Sequence, residues 1–254
     1  MKFEMIKPEL LPPKMIVHSS PGWGKTSLAS FAKGAFMMMS PLETGYKTLV
    51  GVGSVPVIPS VVCETWADVV EMAKSAAADE ECKTIVFDAL GGFEKLSFDA
   101  VLKERFGGDR LKFLNYYKGP EMAVQEWAKL LAMLEASRKT IVMLAHTTVK
   151  EKKTPDLEPF SYYGIDLYRK LWLQLDRWAD AVLFGKFDVV LDMNTGKPMG
   201  GSERVMITAH SAYCEVKNRY GMPDTLPMDV PVDKMWGTLS RALTANSAKN
   251  KEEK

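Results

Sequence analysis

The sequence predicts an α/β fold, a mostly parallel sheet with helices on both faces. Three observations point there. Short runs of apolar and β-branched residues alternate with longer segments patterned at helical spacing, as repeated strand–helix units do. Several of those runs are continuously apolar rather than alternating, which marks strands buried on both faces. A Gly-Lys-Thr loop lies between the first such run and the first helical segment, the context of a phosphate-binding loop.

Taken in order, Met15-Ile16-Val17-His18 is the first strand, followed by a turn and a helix over Lys25 to Lys33. Ala35 to Met39 is a second buried strand and Val55 to Val62 a third. Trp66 to Ala77 carries Val69, Val70, Met72 and Ala73 on one helical stripe. Thr84-Ile85-Val86-Phe87 is a fourth strand. Val124, Trp127, Leu130, Leu131 and Leu134 set a helix over Met122 to Ser137, before a strand at Ile141 to Ala145 and a helix at Tyr168 to Trp178. The last third changes character. Ala181 to Phe184, Phe187 to Leu191 and Arg204 to Thr208 read as strands, with a turn at Asn194-Thr195-Gly196, and extend the sheet with antiparallel neighbours. Residues 1–246 are expected to form one domain, and 247–254 a flexible, charged C-terminal tail.

Composition narrows the function classes. The chain has 254 residues, 46% hydrophobic and 26% charged, which is globular usage and excludes a disordered or fibrous protein. Thirty-three Lys+Arg against 32 Asp+Glu leave a charge of +1, so any nucleic acid must be held by a local patch rather than by bulk charge. Cys63, Cys82 and Cys214 are isolated and fit a reducing compartment, with no disulfide framework or zinc site. Met1 to Lys14 holds no apolar run of signal-peptide length, and no stretch approaches the ~20 apolar residues that cross a bilayer. The expectation is a soluble, cytoplasmic protein without a membrane partner.

The chemistry concentrates in Ser19-Ser20-Pro21-Gly22-Trp23-Gly24-Lys25-Thr26. Glycines let the chain curl so that successive amides face a polyphosphate, and the following helix adds the positive end of its dipole. Ser20, Pro21, Gly22, Trp23, Gly24, Lys25, Thr26 and Ser27 form the expected nucleotide cradle. Lys25 would reach the outer phosphates, and the Thr26 hydroxyl would hold Mg²⁺. Ser19 stands where the pattern has its first glycine. Asp88 ends an apolar strand, where it serves either as the acid that orients Mg²⁺ or as a cap for the next segment. ATP and Mg²⁺ are the implied cofactors.

With these motifs in this order, the stretch from Met15 to Pro227 resembles the RecA-like recombination ATPases, and within them the compact phage-encoded single-strand annealing (Sak-type) branch. The resemblance implies a RecA-like P-loop fold with antiparallel edge strands. It implies that Glu43, just beyond the second strand, activates the attacking water, although the run before it lacks the family's usual polar residue. It implies that His146, after the Ile141 strand, senses the γ-phosphate. Lys217 and Arg219 match the family's Lys-Asn-Lys/Arg signature, whose cations reach a neighbour's γ-phosphate, so together with Lys25, Asp88 and the two preceding residues they complete the expected catalytic set. On their own these residues read equally as a loop acid, a strand-end histidine and surface charges. Single-stranded DNA is the implied partner, held by Lys150, Lys152, Lys153, Phe160, Tyr162 and Tyr163, cations for phosphates and rings for bases. A weaker DNA candidate spans Gly91 to Pro120, with Lys103, Arg105, Arg110, Lys112, Tyr116, Tyr117 and Lys118.

The expected activity is therefore a DNA-stimulated ATPase that binds single-stranded DNA as a homo-oligomer, ring or filament, and promotes annealing or strand exchange. A phage-encoded copy would work in the host cytoplasm, with a single-strand DNA-binding protein as a further partner. The rivals are a helicase-loader-type or other partner-remodelling ATPase, a nucleotide-binding scaffold that does not hydrolyse, and a small-molecule kinase. The last is disfavoured by the lack of an arginine-rich lid segment.

Overall fold

A computed structural model describes residues 11–43, 45–192, 195, 198–199 and 201–252. Its strands are β1 (Lys14–Ser19), β2 (Ala35–Met39), β3 (Ser60–Val62), β4 (Thr84–Asp88), β5 (Thr140–Thr154), β6 (Leu157–Ile165), β7 (Ala181–Phe187), β8 (Val190–Leu191), β9 (Pro198–Met199), β10 (Arg204–Ile207), β11 (Lys217–Asn218) and β12 (Thr225–Pro227). Its helices are α1 (Lys25–Ser30), α2 (Gly45–Gly51), α3 (Trp66–Ala78), α4 (Leu90–Phe106), α5 (Arg110–Leu114), α6 (Lys118–Ala136), α7 (Arg169–Trp178) and α8 (Val232–Glu252), with a 3₁₀ turn at Asn115–Tyr117.

The main sheet runs β12-β10-β7-β1-β5-β4-β2-β3. Six of these strands, β3 through β7 in that order, are parallel; β10 joins the β7 edge antiparallel, and β11 also pairs with β7 antiparallel. This is the expected α/β architecture, a mostly parallel sheet with antiparallel strands at one edge. Alternate residues of each strand enter opposite cores, because successive side chains of a strand leave opposite faces. Ile16, Ile85, Phe87, Ile141 and Met143 pack with Trp66, Phe93, Trp127 and Leu171 from α3, α4, α6 and α7. Met15, Val17, Val86, Val142 and Leu144 pack with Leu28, Tyr46, Met235 and Leu239 from α1, α2 and α8.

Several boundaries differ from the sequence expectation, each for a local reason. The first helix stops at Ser30 rather than Lys33, because Gly34 takes a left-handed φ of 55° and its carbonyl accepts the amides of Lys83 and Thr84. Of Val55 to Val62 only Ser60–Val62 is strand, since Pro56 and Pro59 carry no amide for a ladder. The Ala181 and Phe187 runs are joined, β7 passing through Gly185 and Lys186 without interruption. The helix before β5 starts four residues early, at Lys118. The Asn194-Thr195-Gly196 turn has its Asn194 and Gly196 outside the described residues. The expected tail is entered by α8, which continues to Glu252 through Ala248, Lys249, Lys251 and Glu252, all compatible with helix.

β5 shows the largest departure. It does not end at Ala145 but runs nine residues further and returns as β6, forming a hairpin that projects from the carboxyl end of the sheet. Three buried free cysteines agree with the sequence reading, and no described helix is long and apolar enough to cross a membrane.

Candidate nucleotide site

The site lies where the parallel strands end. Register sets Ser19 of β1 beside His146 of β5 on one side and Gly185 of β7 on the other, and Met39 of β2 beside Asp88 of β4. Consecutive parallel strands therefore deliver the phosphate loop, the Mg²⁺ acid, Glu43 and His146 to one edge.

The loop itself is built by two glycines in the left-handed region, Gly22 at φ 76° and Gly24 at φ 110°, a backbone that other residues rarely adopt. Gly24 caps α1 without any side-chain bond, and no acid occupies the helix's first turn. The amides of Gly22, Gly24, Lys25 and Thr26 have no backbone acceptor among the described residues. Such a row of free donors at a helix start is a cradle for an anion. Ser20 holds the turn, its carbonyl accepting from the Trp23 amide at 3.3 Å and its own amide donating to Gly185 at 3.4 Å.

Trp23 packs beside the sheet. Its ring is not part of a ligand surface but fully buried, with Nε1 donating to the Lys186 carbonyl at 3.0 Å. It packs so closely on β7 that a Cβ at Gly185 would stand 2.5 Å from the indole. Arg204 of β10 holds the loop from the same side, donating to the Trp23 carbonyl at 2.9 Å. Ser27 is likewise buried within α1, leaving only its backbone amide for the cradle.

Around the loop the charged groups form one linked set. Lys25 lies over Ser19, its ammonium 3.2 Å from the hydroxyl and 3.4 Å from the carbonyl. Burial lowers its pKa, while Asp88 and Glu43 pull it back up. Thr26 donates its hydroxyl to Asp88 at 2.8 Å. Asp88 is almost wholly buried, and that burial pushes its pKa up to about 6, against the Thr26 bond that lowers it. His146 donates to Glu43 across 2.7 Å, and this bond raises its pKa while burial lowers it. Thr44, between Glu43 and α2, lies outside the described residues.

The donor set fits Mg²⁺. A hydroxyl beside one buried carboxylate offers hard oxygens, and Mg²⁺ in such sites completes its shell with substrate phosphates and water rather than an all-protein cage. Correspondingly, no cluster of three or more His, Cys, Asp or Glu that could cage a metal occurs among the described residues. Thr26 and Asp88 would hold the ion, which would screen the phosphate charge.

The DNA candidates divide. Lys150, Lys152, Lys153 and Tyr162 of the hairpin line one groove of about 750 Å³, together with Arg169 and Trp172 of α7 and the segment around His210 and Glu215. Phe160, paired across from Lys152, is half-buried and does not line that groove. Tyr163 points to the other face of the hairpin, where it stacks on Phe184 at 5.1 Å, and it is anchored by bonds to the Tyr213 and Glu215 backbone. Lys217 and Arg219 are elsewhere. β11 pairs with Ala181 and Val182, at the amino end of β7, opposite the phosphate loop. Within one chain they serve as a cap. Lys217 donates to the Asp176 carbonyl, while Arg219 donates to the Arg177 carbonyl and to the Asp180 carboxylate at 3.1 Å. Cations suit that position, because the carbonyl end of α7 is the negative end of its dipole.

Three residues were missed by the sequence reading. Arg169 lines the groove. The buried His18, bonded to the Glu215 carbonyl, and Glu215, whose carboxylate accepts from the Ile165 amide and the Trp172 indole, form a polar link beside it. A histidine ending an otherwise apolar strand was the one available signal.

A glycine-turned amide cradle with a lysine, a Thr–Asp pair for a divalent cation and a glutamate near the expected terminal phosphate define a P-loop nucleotide hydrolase. The chain belongs to the AAA domain family, whose AAA_24 model matches residues 11–220. Among solved structures, the chain is similar to a KaiC-like protein from the hyperthermophilic Pyrococcus horikoshii OT3, at 11% identity over 88% of each chain with a TM-score of 0.47. No curated protein matches it.

Proposed function

We propose that this protein is an ATP-hydrolysing, single-stranded-DNA-binding recombination protein of the Sak type, acting as a homo-oligomer in annealing or strand exchange. The supporting observation is continuity. The strand that presents His146 to the nucleotide site continues without a break into the hairpin bearing Lys150, Lys152 and Lys153. A polyphosphate in the cradle draws Lys25 off Ser19, because a phosphate oxygen outcompetes a neutral carbonyl for an ammonium. Glu43 then takes a proton from the attacking water, and His146, bonded to its Oε1, senses the γ-phosphate. The cations of the hairpin groove neutralise a phosphate backbone, while Tyr162 offers a base one face to stack on. In the assembly, Lys217 or Arg219 would have to leave the α7 cap to serve a neighbour's phosphate. A single-strand DNA-binding protein is a further partner, and the cytoplasm of the cell, or of a phage host, is the compartment.

The test is binding of labelled single-stranded DNA with and without a slowly hydrolysed ATP analogue and Mg²⁺, beside turnover with and without DNA and mass measurement of the assembly. Nucleotide should tighten DNA binding, and affinity should fall steeply with salt. DNA affinity indifferent to nucleotide in both wild type and Lys25→Ala would end this reading.

One observation favours a partner-remodelling ATPase instead. Leu111, Leu114, Tyr116 and Tyr117 are all exposed on the short α5 and the turn after it, the first and third by more than four-fifths. Clustered exposed apolar residues mark protein contacts. Turnover stimulated by a partner protein but not by DNA would select that reading.

A further inference from the structure

His18 directly precedes the phosphate loop and has no exposed surface. Both ring nitrogens are engaged, Nε2 at 2.7 Å from the Glu215 carbonyl and Nδ1 at 3.0 Å from the Thr147 hydroxyl. A carbonyl can only accept, so Nε2 carries the proton and Nδ1 accepts from Thr147. Burial pushes the ring's pKa down to about 4, which keeps it in this neutral form. The ring also stacks on Phe184 at 4.8 Å, and Phe184 stacks on Tyr163.

All of these partners lead to the hairpin. Thr147 pairs with Ile165 at its base. The Glu215 carboxylate accepts the Ile165 amide at 2.7 Å and the Trp172 indole at 3.1 Å, and Trp172 lines the groove. In the other direction, the residue after His18 is Ser19, the resting place of the Lys25 ammonium. Packing alone does not call for this arrangement. Ile16, two residues back on the same face, shows that an aliphatic side chain fills the layer, whereas a buried imidazole must satisfy both nitrogens.

We infer that His18 is a positioning residue that couples occupancy of the phosphate loop to the setting of the β5–β6 hairpin and its groove. Departure of Lys25 from Ser19 frees the end of β1, and the imidazole passes that shift to Thr147 and Glu215 together. The coupling stands on this geometry, and only its output, DNA in the groove, rests on the function proposed above.

Hydrogen exchange on the full chain, with and without a slowly hydrolysed ATP analogue and Mg²⁺, reads it directly. In wild type the amides of residues 160–166 should change protection at least about fivefold on nucleotide addition, the lower end of ordinary allosteric coupling. In His18→Leu and Thr147→Val the loop at residues 19–26 should still respond while the hairpin response shrinks to within about twofold of none. Should His18→Leu fail to fold, Thr147→Val, which removes one hydroxyl at constant shape, carries the test. A wild-type hairpin that ignores nucleotide overturns the inference, as does a Thr147→Val hairpin that responds like wild type. DNA binding measured on the same proteins separates the two claims. A coupled hairpin without DNA binding keeps the coupling and removes DNA as its output, whereas DNA binding with an uncoupled hairpin removes the coupling alone.

Discussion

The two ends of the parallel sheet treat charge in opposite ways. At the amino ends of the strands, cations and acids are matched into caps and surface pairs: Lys14 with Glu135 at 2.8 Å, Arg219 with Asp180, Lys217 on the α7 carbonyls. At the carboxyl ends, groups around an amide cradle are held away from their ordinary protonation, with Asp88 raised and Lys25 lowered by burial and the exposed His146 raised by its bond to Glu43. Lys217, also lowered by burial at the amino ends, sits instead on a carbonyl cap. Nothing in folding requires a carboxylate and an ammonium to be desolvated around an amide cradle. Perturbed groups gathered around free backbone amides mark a site that waits for a ligand, while the groups at the other end, shifted or not, are taken up in caps and pairs that hold the chain together.

Substitutions at the two ends should therefore differ in kind. Lys25→Ala should lower turnover by about 100- to 1000-fold, the usual effect of deleting one charge stabiliser, with the fold intact by circular dichroism. Glu43→Gln should slow phosphate release by a comparable or somewhat smaller factor, about 100-fold, while nucleotide binding by calorimetry persists. Equal, negligible release from wild type and Glu43→Gln would instead make the protein a non-hydrolysing scaffold.

Asp88→Asn should do something no amino-end substitution does, removing Mg²⁺-dependent turnover while stabilising the ligand-free protein. A carboxyl with a raised pKa stays protonated to higher pH, so the folded state binds the extra proton between the ordinary value near 4 and about 6. Stability is thus lost as pH rises through that window, and Asn should recover about 1–3 kcal/mol at pH 7 in urea denaturation. Turnover in the wild type should rise across the same window, since the ionised carboxylate is the form that holds a cation. The smallest effect is expected from Arg219→Ala, about 0.3–1 kcal/mol of stability through the lost α7 cap. A tenfold drop in turnover at unchanged ATP affinity would show that Arg219 also reaches a neighbour's site, and the division between the two ends would no longer hold.

Much of this was legible in the chain because backbone chemistry is local. The glycines of the loop, the apolar runs ending in Asp88 and His146, and the helix after Lys25 each declare themselves within a few residues, and parallel pairing then brings their ends to one edge. The hairpin was not legible as such, since the wholly charged run Lys150 to Lys153 suits a solvated strand or a loop equally. The strand under Trp23 was not legible either, since the ring packs on Gly185, 162 positions away. His18 was overlooked for the same reason, its partners Thr147 and Glu215 being distant in sequence. Lys217 and Arg219 matched a signature correctly by type, but a signature does not say at which end of a strand its residues lie.

The close seat of Trp23 on Gly185 has a consequence for how ATP is captured. The loop rests on a floor fixed by β7, so its curvature exists before any ligand arrives and little conformational freedom remains to be surrendered on binding. Affinity is thereby governed partly from underneath. A single methyl group added at residue 185, on a strand that never meets the phosphates, would lift the indole and flatten the bowl above it.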